Sequence, residues 1–404
     1  MKIDPEWLNT PETQMIMNAL NNGKEKARFV GGCVRDAILN VDCHDIDIAT
    51  KLVPTEVQAR LEKIGITVHP TGIAHGTVTA VVHGEEYEIT TLRKDVDTDG
   101  RHATVKFSKS WKDDARRRDF TMNALYASAD GTVHDPLGSG LFDCQNKFVT
   151  FVGSPDDRIK EDYLRIMRFF RFSAKYSMVI GDQLALEYCI NHRHGLIGIS
   201  VERVWSEIKQ IIKISPAMFN SMVVFEMFPK VWGTLQESNA IETNKHDVLQ
   251  TFMRHLNKRD VDNIERVIIS LKMSNSEKQR IRNWYENDKY DRDEWSQMMS
   301  YGLDDIAACR SLIHSLYFCG KRSTLDAHLV STHRPDDMSN KVTKFIEGWE
   351  KPTFPLDGND AISFGLKGKQ IGLTLKAIEK HWVDSRFAFT KEALLAKLKS
   401  RSLY

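Results

Sequence analysis

The stretch RFVGGCVRDAILNVDCHDIDIAT, residues 28–50, decides the fold. A β-like run, ARFVGG (27–32), ends in Gly31-Gly32, and the helical pattern VRDAIL (34–39) opens directly after it. A second β-like run, DIDIAT (45–50), follows. Glycines at such a turn let the backbone approach a ligand closely, and free N–H groups at a helix start attract phosphate. Arg35 lies on the first helical turn, where its fork can grip phosphate oxygens. Side chains at i and i+2 of a strand share a face, so Asp45 and Asp47 project together while Ile46 and Ile48 point to the core. Two carboxylates so close repel each other unless a cation lies between them. Mg²⁺ suits them, as a hard ion that takes carboxylate oxygens and bridges to phosphates. A Gly-Gly pair alone is equally a tight turn, and an Asp-x-Asp alone equally a polar strand edge. Their combination, with Asp45 ten residues after Arg35, favours a metal and phosphate site.

Further β-like runs follow at TVTAVVHG (77–84) and YEITTL (87–92), and residues 10–22 read as a helix capped by Thr10, with Pro11 in its first turn and Gly23 as its stop. This mixed α/β segment ends near FVTFVG (148–153). From about residue 155 to about 330 the period is helical, as in ERVWSEIKQIIKI. Pro335, Pro352, Pro355 and Gly358 then punctuate a linker before a last helical stretch, 368–400. The expected class is α+β, a mixed β-sheet head followed by largely all-α regions.

Composition sets the outer bounds. With 404 residues, 41% hydrophobic and 27% charged, the chain is neither collagen-like, disordered nor a membrane protein. No apolar run approaches the roughly 20 residues that span a bilayer. The N-terminus MKIDPEWLNT lacks a signal-peptide core, which predicts a cytoplasmic protein. Six cysteines without CxxC spacing predict reduced thiols. Net charge is +1, but its distribution is uneven. Residues 158–175 hold six basic side chains against two acidic, and residues 361–404 hold nine against three. Either segment suits a polyanionic partner or a solvated helix face.

Two further stretches carry chemistry. In RRRDFTMNALY (116–126), Asn123 falls four residues after Asp119, on one face of an expected helix that Asp119 would cap. In EDYLRIMRFFRF (161–172), Asp162, Arg165, Arg168 and Arg171 recur every third residue on one helix face, while Leu164, Met167 and Phe170 share another. Asp162 and Arg165 read either as an i,i+3 salt bridge or as an acceptor and donor set in one plane. The second arrangement matches the Watson–Crick edges of cytosine and adenine and leaves uracil and guanine with unpaired groups.

GGxVRD followed by DxD, then RRDFTxNA, then EDxxRxxRxxRF, resembles the class II tRNA nucleotidyltransferases. These CCA-adding enzymes are a branch of the DNA polymerase β-like superfamily that also contains bacterial poly(A) polymerases. ERVWSEIKQII (202–212) and GNDAISFGLKGKQIG (358–372) resemble later family segments. The resemblance implies a catalytic head with a five-stranded sheet (1–152), a helical neck that recognises the base (153–213), a helical body (214–334) and a tRNA-binding tail (335–404). It implies addition of C, C and A to the tRNA 3′ end from CTP and ATP with Mg²⁺ as cofactor, with a monomer as the default. Asp45 and Asp47 match its metal-binding carboxylates, with Glu88 as a third candidate. Gly31, Gly32, Arg35 and Arg118 fall among the residues that hold nucleotide. Asp162 and Arg165 match the base-selecting pair, and Arg168 and Arg171 match further nucleotide-contacting arginines. The polar stretch 94–113 corresponds to the family's flexible loop, which disfavours the variant that adds only CC. Tyr163 departs from the proline of many relatives and is expected to soften the helix start.

The alternatives are a poly(A) polymerase or an A-adding enzyme of the same family. An HD-type phosphohydrolase is prompted by His246-Asp247 and His255, which lack further ligands at suitable spacing. A catalytically dead RNA-binding module is disfavoured by the intact Asp45 and Asp47.

Overall fold

The computed structural model describes residues 1–43, 45–99, 102–177, 180–238, 247–287, 309–331 and 337–400. It forms two compact units, Met1–Pro229 and Lys230–Tyr404. In the first, the Thr10 side chain accepts from the Thr13 N–H, Pro11 opens α1 (Pro11–Asn21), and the left-handed Asn22 and Gly23 close it. Then come β1 (Ala27–Val30), α2 (Gly32–Ile38), β2 (Ile46–Thr50), α3 (Pro54–Glu62), β3 (Thr67–Gly72), β4 (Thr77–Val82) and β5 (Glu85–Thr91). After β6 (Arg93–Asp99), β7 (His102–Phe107) and α4 (Trp111–Arg116), two-residue strands β8 (Tyr126–Ala127) and β9 (Val133–His134) complete the sheet.

The sheet order is β3-β4-β5-β2-β1-β8-β9. Among the described residues only β2 and β5 pair in parallel. In β4, Val78, Ala80 and Val82 are buried and alternate with half-buried neighbours, the signature of a one-faced sheet. Five strands were implied and seven are present: β8 and β9 are too short to show a period. Asp45 directly precedes β2 rather than lying within it. The stretch 94–113 is not a loop throughout, because β6 and β7 pair as a hairpin and α4 begins at Trp111. In the sequence Asp99-Gly100 is a strong hairpin-turn signal, hidden by the polarity of its flanks. Gly100 and Arg101 lie outside the described residues.

The helices α5 (Gly140–Gln145), α6 (Pro155–Glu161), α7 (Leu164–Phe172), α8 (Gln183–His192), α9 (Val201–Ile214) and α10 (Pro216–Val224) follow. Leu164, Met167 and Phe170 are buried as their spacing predicts, and α7 packs on α9. A π-helical turn, Ser173–Ser177, continues α7.

The second unit is helical. Ile313 and Tyr317 share a core with Leu356, Ile378, Trp382, Val383, Leu394 and Leu398. The expected helical stretch 368–400 is two helices, Lys369–Asp384 and Lys391–Ser400. Positive φ at Arg386 and Phe387 breaks it, and the Phe387 ring turns back onto Trp382 at 4.9 Å. Pro335 lies outside the described residues. Among the described residues no helix is long and apolar enough to cross a membrane.

Candidate active site

The turn between β1 and α2 is built by Gly31, whose φ of 73° lies in the left-handed region. A Cβ there would also fall 3.2 Å from Arg118 Nη1 and 3.7 Å from the Asn123 carbonyl oxygen. Arg118 thus lies against the glycine turn. Its Nε and Nη2 donate to Asp114 Oδ2 at 3.2 and 3.1 Å, and Nη1 donates to the Asn123 carbonyl at 3.4 Å. Asp114 also accepts from Arg117 Nε and Nη2 at 2.9 and 2.7 Å and from the Tyr126 hydroxyl at 2.7 Å. Burial opposes its ionisation, but Arg118 and Arg117 prevail and hold its carboxyl down at about 2. The sequence singled out Arg118 and missed Asp114, since a carboxylate four residues before an arginine resembles any helix-surface pair.

Asp47 lies in β2 and is the register partner of Glu88 in β5. Its carboxyl is pushed up to about 6, first by burial and then by the charge of Glu88, with Asp45 adding in the same direction and Arg118 and Arg35 opposing. Among the described residues, no three His, Cys, Asp or Glu side chains converge into a closed metal cage. The donor set nonetheless suits a hard divalent cation held by few protein ligands. It offers oxygen donors only, on two neighbouring interior strands where like charges resist ionisation until a cation relieves them.

Arg35 offers the glycine turn one nitrogen rather than its whole fork. It is 6% exposed, its Nε donates to Asp36 at 2.8 Å, and its Nη1 donates to Asn123 Oδ1 at 2.5 Å. Its guanidinium lies over Tyr176 at 4.6 Å and Phe172 at 5.1 Å, while the Tyr176 hydroxyl donates to Asp36 at 2.8 Å. The π turn delivers Tyr176 to this place. Only Nη2 faces the glycines, 3.7 Å from where a Cβ of Gly32 would stand.

RRRDFTMNALY does not form the expected α-helix, and Asp119 caps none. Phe120 bridges Phe151, and Thr121–Asn123 is a single 3-10 turn. Asp119 and Asn123 still meet, because Asn123 Nδ2 donates to Asp119 Oδ1 at 3.0 Å.

The helix face 162–171 also differs from expectation. Asp162 is the C-cap of α6 and precedes α7, so it lies between two helices rather than on one. It accepts from Leu164 N–H at 3.0 Å and pairs with Arg203 of α9 at 3.2 Å. Arg165 instead pairs with Glu161 at 2.6 Å and donates to the carbonyls of Arg158 and Arg117 at 2.9 and 3.2 Å. No i,i+3 bridge joins Asp162 to Arg165. Arg168 pairs with Asp119 at 2.6 Å, and Arg171 with Glu207 at 2.5 Å. Arg158 pairs with Glu161, Lys160 with Asp156, and Lys175 with Asp36. All six basic side chains of 158–175 are therefore ion-paired. Tyr163 is the N-cap of α7, and its ring lies on Gly195, with His192 and His194 at 6.4 and 6.3 Å.

The HD-type reading fails on its own residues. Asp247 caps a helix and pairs with Arg280 and Arg322. Burial pushes the His255 imidazole down to about 4, against its hydrogen bond to the Gln236 carbonyl, and so leaves it neutral. His246 lies outside the described residues. No disulfide forms among the described residues, which include all six cysteines.

Residues 27–150 match the poly A polymerase head domain. The mitochondrial CCA tRNA nucleotidyltransferase 1 of Danio rerio is 32% identical over 399 residues, spanning 92% of this chain and 86% of that one. The CCA-adding enzyme of Streptococcus pyogenes serotype M1 is 31% identical over 427 residues, spanning 94% and 96%. The crystal structure of the Bacillus stearothermophilus CCA-adding enzyme in complex with CTP has the same fold, with a TM-score of 0.70, 22% identity and 97% and 98% coverage. With a relative this similar along nine-tenths of its length, the chain belongs to the CCA tRNA nucleotidyltransferase family.

Proposed function

We propose that this nucleotidyltransferase adds C, C and A to the 3′ end of tRNA from CTP and ATP, releasing pyrophosphate. The observation that carries the reading is the meeting of Asp47, Glu88 and Asp45 with Arg118 at the Gly31-Gly32 turn. Asp45 and Asp47 would hold Mg²⁺, with Glu88 raising their demand for it. A divalent ion bound there supplies Lewis acidity toward the 3′-hydroxyl and the α-phosphate. Arg118 Nη1, Arg35 Nη2 and the backbone N–H groups after Gly31 bind and orient the triphosphate. Asp162 and Arg165 present the acceptor and donors that read the base edge. Arg165, held by three acceptors, is the fixed member of that pair; Asp162, 34% exposed and held by an exposed arginine, is the adjustable one. Arg168 and Arg171 act on nucleotide through the geometry of α7, since carboxylates already occupy them.

The finer division into head, neck, body and tail at 152, 213 and 334 belongs to this reading, with the basic 361–404 segment on the tRNA backbone. We read the cytoplasm as its compartment from six cysteines that form no disulfide. The match of residues 27–150 to a poly A polymerase head supports poly(A) or A-only addition as the second reading. Incubation of a tRNA lacking its CCA end with CTP and ATP, singly and together, separates the readings by product length. Three added residues with both nucleotides support CCA addition; a long A ladder rejects it.

A further inference from the structure

Four side chains form an unbroken chain of hydrogen bonds from the glycine turn to α7. Arg35 Nη1 donates to Asn123 Oδ1 at 2.5 Å, Asn123 Nδ2 donates to Asp119 Oδ1 at 3.0 Å, and Arg168 Nε donates to Asp119 Oδ2 at 2.7 Å. A second path closes the ring, because Arg35 and Arg168 both lie over Phe172, at 5.1 and 5.4 Å. Arg35, Asn123 and Phe172 are all nearly buried, at 6%, 6% and 5% exposure. A side-chain amide satisfies position 123 in one protonation state: it accepts from a guanidinium on one side and donates to a carboxylate on the other.

We infer that Asn123 and Asp119 are positioning residues that fix α7, and with it the base-reading Asp162 and Arg165, relative to the triphosphate-binding turn. The inference rests on the function proposed above. The sugar-phosphate and the base of one nucleotide are read by different segments of the chain. Addition therefore needs those segments in one register, and a misplacement of about 1 Å costs roughly a hundredfold in rate. Loss of the amide should lower kcat while nucleotide still binds.

The test is single-turnover addition of C to a tRNA lacking its CCA end, beside CTP binding measured without tRNA. N123A should lose roughly tenfold to a hundredfold in kcat, with CTP affinity within about threefold of wild type. N123D keeps the volume and the acceptor for Arg35 but sets a second carboxyl against Asp119. That pair can share a proton, which restores the donor. The charged groups around the site are Arg35, Asp36, Arg118, Asp119 and Arg168. The ratio of N123D to wild-type kcat should therefore rise as pH falls from about 8 to about 6. Because N123D is isosteric, it carries the test should N123A not fold. An N123A variant with wild-type kcat, or an N123D ratio flat in pH, overturns the positioning role. A wild-type chain that binds CTP but adds nothing to tRNA overturns the proposed function instead.

Discussion

Asp47 and Glu88 stand opposite each other on the two parallel central strands, and burial, reinforced by the second carboxylate, keeps the first from ionising at its ordinary pH. The consequence for stability has a definite sign. The folded carboxyl of Asp47, at about 6, binds its proton more tightly than the unfolded one. As pH rises past the unfolded value the unfolded chain loses its proton first, so stability falls until the pH exceeds about 6. Metal-free D47N should therefore be more stable than wild type at neutral pH, by about 1–2 kcal/mol after solvent screening, and should lose nucleotide addition. In E88Q the Asp47 carboxyl should titrate lower, as followed by carboxyl NMR. An unmoved titration would show that burial alone sets it.

Asp162 is the next test, and it pairs with the exposed Arg203. D162A should cost little melting temperature, since exposed pairs contribute about 0–1 kcal/mol. Selectivity should suffer more. The amino groups of CTP and ATP lose an acceptor worth about 1–3 kcal/mol, so discrimination against UTP and GTP should drop roughly tenfold to a hundredfold. Equal losses of kcat/KM for all four nucleotides reject the base-reading role.

Gly195 and Tyr163 make a sharper steric prediction. A Cβ at 195 would fall 2.0 Å from Tyr163 Cδ1, so G195A must push the ring away. We expect G195A to destabilise by about 1–3 kcal/mol, and by much less in a Y163A background. Thermal melts of the two singles and the double complete the cycle; additive losses would place the strain elsewhere.

The basic C-terminal segment is best tested by charge rather than by truncation. Removing residues from about 350 would strip Ile378 and Trp382 from the core they share with Ile313 and Tyr317. Lys367, Lys369, Lys376 and Lys380 are exposed, so their replacement by alanine leaves that core intact. Each one that touches a duplex phosphate should reduce the slope of log affinity for tRNA against log salt by about 0.9. An unchanged slope means that these lysines face solvent.

What was legible in the sequence was local. The Gly31 turn and the buried face of α7 each follow from neighbours within a few residues, where period and steric rules apply. β3 escaped notice because Pro70 interrupts its pattern, and proline is tolerated there because β3 is an edge strand. The ion-pair partners were not legible. Arg168 finds Asp119 across 49 residues, Arg171 finds Glu207 across 36, and Lys175 finds Asp36 across 139. No periodicity links such positions; only the folded chain does. An i,i+3 rule therefore chose the wrong partner for Asp162.

The saturated ion pairs along 158–175 bear on how the protein comes into being. Their carboxylates come from Asp36, Asp119, Asp156 and Glu161, most of them already synthesised, and from Glu207, which emerges later. Until the chain folds, this stretch is a polycation produced beside ribosomal RNA. Folding is the step that silences it. A variant that folds slowly would thus trail an exposed RNA-binding strip, and a proteolytic peptide cut from this region would cling to any nucleic acid at low salt.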